Sequence, residues 1–212
     1  FSNIRKVVAY VLSNSFAEVL TIFSAMMLGW PTPLTVAQIL WIHLICDGPS
    51  DIVLAFEPKE AGIMDEPPIS KDAPILTRLG LSLIGVISVV SAALALAIFG
   101  HFFTIHHNAV EGRSLVFASL AVNSMVYIFA YRSMRQPLYR MVPLRENRAL
   151  VVTILAGLAT ALIAFAFPGL RSLLGIVPLT ALQWGVVAAI AIFLLLTVEA
   201  AKFIAHRLPG HE

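Results

Sequence analysis

Residues 38–51 read Gln38-Ile39-Leu40-Trp41-Ile42-His43-Leu44-Ile45-Cys46-Asp47-Gly48-Pro49-Ser50-Asp51. They lie in an apolar run over 34–56, long enough for a helix to cross a bilayer, which takes about 20 residues for roughly 30 Å of hydrocarbon. Yet His43, Asp47 and Asp51 recur every four residues, so a helix carries them as one polar stripe. Gly48 and Pro49 follow Asp47 directly. Proline has no N–H to give and crowds the preceding turn, which predicts a break at Asp47-Gly48-Pro49 and freed carbonyls near residues 45 and 46. Irregular backbone at membrane depth is tolerated where it lines a cavity or is buried in protein. Freed carbonyls beside a carboxylate make a cation site. The plainer reading is a proline kink with no ligand role.

Outward from this stretch the pattern repeats. A span over 7–28 precedes it, joined through Gly29-Trp30-Pro31-Thr32-Pro33, a turn that cannot stay helical. Further spans are predicted over 75–99, 114–131, 150–167 and 179–204. The fold class expected is an all-α membrane protein of six transmembrane helices. The runs are too long for the alternating strands of a barrel. Composition agrees: the 212 residues are 59% hydrophobic and 12% charged, where soluble domains carry about 25% charged residues. A net charge of +2 speaks against a nucleic-acid partner, and one cysteine excludes an intrachain disulfide. Phe1 opens the sequence and no cleavable signal is seen, so the chain is expected to be a piece of something longer.

Lysine and arginine set the orientation. With a cytoplasmic N-terminus, twelve of the 14 fall on the cytoplasmic side and only Arg113 and Arg171 opposite. Both termini are therefore expected in the cytoplasm, and with no retention signal the expected location is the plasma membrane. The linker 57–74 holds four prolines and five acids, and 132–148 is basic. The basic loop needs no more than the positive-inside rule.

Glu18, Asp47, Asp51 and Glu199 are the acids in or near the spans. Acids there cost about 3 kcal/mol at a helix centre and are functional candidates by default. Asn14 and Ser15 stand four and three residues before Glu18, on its side of the helix. Together they offer only oxygen donors, which suit hard cations. Asn14 and Ser15 have a plainer role as helix–helix hydrogen bonders. His43 is either a packing residue, a proton carrier or a metal ligand, and Cys46 three residues on would add a softer donor. Asn123 and Ser124 are the polar pair of the fourth span expected to face the bundle. Glu199 is explained by an ion pair with Lys202.

Three stretches, Ser13-Asn14-Ser15-Phe16-Ala17-Glu18, residues 38–49 and Ile63-Met64-Asp65-Glu66-Pro67-Pro68, resemble in order and spacing the C-terminal membrane region of cation-transporting P-type ATPases. The likeness is nearest to the calcium-pump-like subgroup. It is dense over 4–70 and looser to the end, where Leu182-Gln183-Trp184 and Glu199-Ala200-Ala201-Lys202-Phe203 look like the family's last helix.

The resemblance implies that these six spans are the fifth to tenth helices of a ten-helix pump. The first four helices and the cytoplasmic catalytic domains, where ATP and magnesium act, would lie elsewhere. The fragment alone would then be inactive as an ATPase. The lipid bilayer and the remaining domains of the pump are its implied partners, with linker 57–74 against the phosphorylation domain. Glu18 matches the family's ion-binding glutamate and Asp47 its ion-bridging aspartate, so calcium is the transported cation implied. Where calcium pumps carry asparagine, asparagine, threonine and glutamate, this sequence has Ser15, His43, Cys46 and Ser124, and Asp51 is an added carboxylate. These departures point away from two calcium ions. One divalent ion, a proton or monovalent cation pump, and a secondary cation transporter or channel are the alternatives.

Overall fold

The computed structural model describes residues 2–58, 74–133, 141, 143 and 146–207, without side chains for 205–207. Most of the 57–74 linker, including the 63–68 motif, lies outside these residues, as does most of the basic loop after residue 133. The described residues are helical, with no strand among them.

Helix α1 spans Ser2–Met27. Gly29 stops it in the left-handed region at φ +71°, which favours glycine, and Trp30 N bonds back to Ala25 O at 2.9 Å. Pro31 and Pro33 prevent resumption. Thr35 then caps α2 (Val36–Leu40) in a capping box, its hydroxyl accepting from Gln38 N while Gln38 Oε1 accepts from Thr35 N. A π-helical stretch, Trp41–Asp47, leads into α3 (Gly48–Leu54). Then come α4 (Arg78–Gly100), a second π-helical stretch (His101–Ile105), α5 (Ala109–Tyr131), α6 (Arg148–Ala166), α7 (Pro168–Leu174) and α8 (Ala181–Arg207).

Five helices among the described residues are long and apolar enough to cross a membrane: Ser2–Met27, Arg78–Ile105, Ala109–Tyr131, Arg148–Ala166 and Ala181–Ile204. The run expected at 34–56 is divided among α2, the π-helical stretch and α3. Its irregularity differs in form from an unwound break. Asp47 (φ −83°, ψ −41°) and Gly48 (φ −51°, ψ −48°) keep right-handed helical dihedrals. What changes is the hydrogen-bond register, which widens over 41–47 and tightens again from Gly48. The wider turn relieves the clash that a proline ring makes with the carbonyl four residues back.

α5 is the axis of the bundle. From Glu111 to Tyr131 none of its residues is exposed. α4 and α8 pack along it, α1 lies against α4, and α6 covers α3 and the first π-helical stretch. Over residues 13–26 the first helix buries polar and small residues and turns large apolar ones outward. On α1, Ser13, Asn14, Glu18 and Thr21 are buried while Phe16, Val19, Phe23 and Met26 are exposed. That inversion is what a bilayer solvent requires: apolar faces meet lipid, and polar groups find partners inside. α6 approaches closely because of Gly157, where an added Cβ would lie 2.7 Å from Met125 Sδ and 3.0 Å from the Cys46 carbonyl oxygen.

Candidate cation site

The buried stripe of α1 runs Tyr10, Asn14, Glu18, Thr21, Ala25 at three- and four-residue steps, with Ala17 beside Glu18. It faces the first π-helical stretch and α5. Asn14 Nδ2 donates to Asp47 Oδ2 at 3.0 Å. Ser124 Oγ, on α5, donates to Asp47 Oδ1 at 2.7 Å and lies 3.0 Å from the Ala121 carbonyl. The Tyr127 hydroxyl donates to Asn14 Oδ1. Asp47 is 1% exposed, so both carboxylate oxygens are satisfied by neutral protein donors inside the bundle.

Glu18, one turn on from Asn14, is 4% exposed and meets His43 Nε2 at 3.0 Å through its Oε2. A small cavity of about 10 Å³ lies beside Glu18 and Asn14, room for roughly one water-sized sphere. Asn14, Glu18, Ser91, Asn123, Ser124 and Tyr127 supply its polar wall, and Ala17, Ile42 and Leu120 the rest. Asn123 Oδ1 and Ser91 Oγ are buried there without a hydrogen-bond partner. Orphaned oxygens in a buried wall are costly unless something else meets them. Among the described residues no three His, Cys, Asp or Glu side chains converge as a metal cluster. The donors are instead mixed oxygens (carboxylate, amide and hydroxyl), the chemistry of hard cations.

The structure therefore brings together Asn14, Glu18, His43, Asp47, Asn123 and Ser124. Ser15 is half-buried and does not line the cavity. Cys46 points elsewhere, its Sγ 3.9 Å from Thr160 Oγ1 on α6, so it does not share a face with His43. Asp51 is half-buried, with Oδ1 buried and unpartnered, and lies one turn beyond Asp47 outside the cavity wall. Glu199 meets Lys202 at 2.9 Å, the i, i+3 pair read from the sequence, and Lys202 Nζ also donates to the Ala130 carbonyl at the end of α5.

Sequence reasoning missed Tyr10, Ser91 and Tyr127. Tyr10 stands four residues before Asn14 and eight before Glu18, so the stripe itself signals it. It forms an edge-to-face cluster with Tyr127 and Tyr131 and donates to the Ser124 carbonyl at 3.1 Å. Ser88 and Ser91 are buried polar positions one turn apart in α4, and Ser88 Oγ donates to the Ser13 carbonyl at 3.1 Å.

The family described as "Cation transporting ATPase, C-terminus" matches residues 31–204. Among curated proteins, a Calcium-transporting ATPase 1 from Bacillus cereus is 27% identical over 95% of this chain and 24% of its own length. A Calcium-transporting ATPase from Bacillus subtilis is 28% identical over 92% of this chain and 22% of its own. The human Calcium-transporting ATPase type 2C member 1 is 28% identical over 81% of this chain and 18% of its own. The chain spans about a quarter of the length of the first two relatives, 24% and 22%.

Proposed function

The chain belongs to the C-terminal family of cation-transporting ATPases, and from that premise we propose that it is the cation-binding and translocating membrane part of an ATP-driven pump for calcium or another divalent cation. The observation that carries the reading is the buried meeting of Glu18, Asn14, Asn123 and Ser124 around one small cavity, with Asp47 held directly behind its wall by Asn14 and Ser124. Glu18 and Asp47 are the core ligands, supported by the amide and hydroxyl oxygens. His43 stands at the edge of this set, and Ser15, Cys46 and Asp51 belong to its surroundings. Six crossings fit the chain if residues 36–54 form the second. Those 19 residues reach roughly 28 Å at 1.5 Å per residue, against a hydrocarbon core of about 30 Å. Both termini then face the cytoplasm, and the plasma membrane is the proposed location.

Transport requires the site to bind the cation differently in two states. Asp47 donors and the Glu18–His43 contact define the state seen here, in which protein groups satisfy the carboxylates. In the other state, helices contributed by the rest of the pump would rearrange against α1 and the first π-helical stretch so that the carboxylates turn to the cation. Phosphorylation from ATP, in domains outside this chain, would drive the change through linker 57–74.

The Glu18–His43 contact also favours a second reading. When His43 is protonated it offsets one carboxylate, which suits a pump for protons or monovalent cations. The test is the full-length protein, phosphorylated from ATP with a panel of calcium, manganese, magnesium, zinc, sodium and potassium. Glu18→Gln and Asp47→Asn are each expected to abolish cation-dependent phosphorylation. Unaltered dependence in both would remove the site assignment, and activation by sodium or potassium alone would favour the second reading.

A further inference from the structure

A third buried acid stands at the start of linker 57–74 and has no ligand role in the reading above. Glu57 follows α3 and is 6% exposed. Its Oε1 accepts from Arg132 Nε at 2.6 Å and its Oε2 accepts from Asn147 Nδ2 at 2.6 Å. Its carbonyl oxygen accepts from Asn3 Nδ2 at 2.8 Å, and the same amide reaches the Ala55 carbonyl at 3.1 Å. Arg132 is the C-cap of α5. Asn147 is the N-cap of α6, where its Oδ1 accepts from Leu150 N at 3.0 Å. One residue thus ties the ends of α1, α3, α5 and α6.

Two of these elements, α1 and α5, line the cavity, together with α4 and the π-helical stretch that runs into α3, and α6 backs that stretch from the other side. α1 carries Asn14 and Glu18, the stretch running into α3 carries His43 and Asp47, and α5 carries Asn123 and Ser124. α6 seats Gly157 and Thr160 against Cys46. Glu57 lies ten residues past Asp47, three beyond the end of α3, and Arg132 lies eight past Ser124, the latter about 12 Å along a helix. Helices are stiff over two or three turns, so their spacing at the tied end fixes their spacing at the cavity. A buried carboxylate that loses one partner is left uncompensated, so this junction resists partial opening.

We infer that Glu57 is a positioning residue for the cation site. It holds α1, α3, α5 and α6 at the separation at which Glu18, Asp47 and Ser124 reach one cation, and opening the junction lowers cation affinity without altering any ligand. The inference rests on the reading of the cavity as the transport site.

Glu57→Gln keeps an oxygen for Arg132 Nε but turns an amide donor against Asn147 Nδ2. Glu57→Gln/Asn147→Asp reverses that pair: the introduced amide donates to the introduced carboxylate, which still caps α6. Asn3→Ala removes the α1 tie and leaves the Glu57 carboxylate paired. The experiment measures phosphorylation of the full-length protein from ATP against the concentration of the activating cation, calcium first. Signals are normalised to folded protein by size-exclusion chromatography in detergent.

Glu57→Gln is expected to raise the half-maximal cation concentration about tenfold, with the saturating level per folded molecule kept, and the reversed pair to return it to within about threefold. Asn3→Ala is expected to shift it the same way by less, and it serves as the readout where Glu57→Gln does not fold. An unshifted half-maximal concentration in whichever of the two folds overturns the inference. So does a reversed pair no better than the single variant. A starting protein with no cation-dependent phosphorylation, or Glu18→Gln and Asp47→Asn with unaltered dependence, overturns the cavity reading and this inference with it.

Discussion

Asn14 donates its Nδ2 to Asp47 at 3.0 Å and accepts the Tyr127 hydroxyl at its Oδ1, so one amide joins α1, the first π-helical stretch and α5. Asn14→Leu keeps the bulk and removes both bonds. It leaves a carboxylate oxygen and a phenol without their partner, each costing about 1–3 kcal/mol when buried. The expected result is a lower Tm of the full-length protein without cation, and a higher cation concentration for half-maximal phosphorylation. An unchanged Tm would show that the bundle does not depend on this link.

His43 and Glu18 meet at 3.0 Å, with the imidazole about a third exposed and the carboxylate nearly buried. Two roles predict opposite signs for His43→Leu. If the imidazole competes with the cation for Glu18, its removal lowers the half-maximal cation concentration. If it is a ligand, removal raises that concentration about 10-fold or more. The arrangement in which Glu18 is already engaged by Nε2 favours the first outcome. A cation titration of phosphorylation decides it.

Gly157 sits against Met125 and the Cys46 carbonyl with no space for a side chain. Gly157→Ala is expected to push α6 away from the π-helical stretch and to destabilise by about 1–3 kcal/mol, the usual cost of overpacking. Gly85→Ala is the control, since nothing lies within 4 Å of its added Cβ. There the better helix former is expected to leave Tm unchanged or raise it slightly. Equal Tm values for the two variants would contradict the close approach.

Pro49 lies in the first turn of α3, next to the π-helical stretch. Pro49→Ala supplies an N–H and removes the ring, which allows the α-register to run back through 41–47. Resetting that register rotates Asp47 relative to Asn14 and Ser124. The expected outcome is weaker cation-dependent phosphorylation with Tm held or raised. A full cation response in a stable variant would show that the π turn does not position Asp47.

The elements were legible where one physical signal dominated. The long apolar runs marked α1, α4, α6 and α8, and Gly29 with Pro31 and Pro33 marked the end of α1. Asn14, Glu18 and Asp47 stood out because carboxylates and amides are expensive in hydrocarbon. The π-helical form of 41–47 was not legible, because spacing and a proline announce an irregularity without fixing its register. Tyr127 escaped notice because a tyrosine in a membrane helix is unremarkable until a partner from another helix faces it, and Ser91 because a serine is unremarkable until a cavity opens beside it. Ser15 and Asn14 were equally placed on paper. Packing against α5 selected Asn14, and nothing local to α1 could have done so.

The central place of α5 has a consequence for how the bilayer acts on this protein. From residue 111 to 131 it has no exposed side chain, whereas α1, α4, α6 and α8 each present large apolar groups outward. A change in membrane thickness is absorbed by tilting of helices that touch lipid. Asn123 and Ser124 are shielded from it, while Glu18 rides on α1, whose outward side carries Phe16, Val19 and Phe23. Wherever lipid reaches α1, a change of thickness would move Glu18 against Asn123 and Ser124, with α5 as the reference.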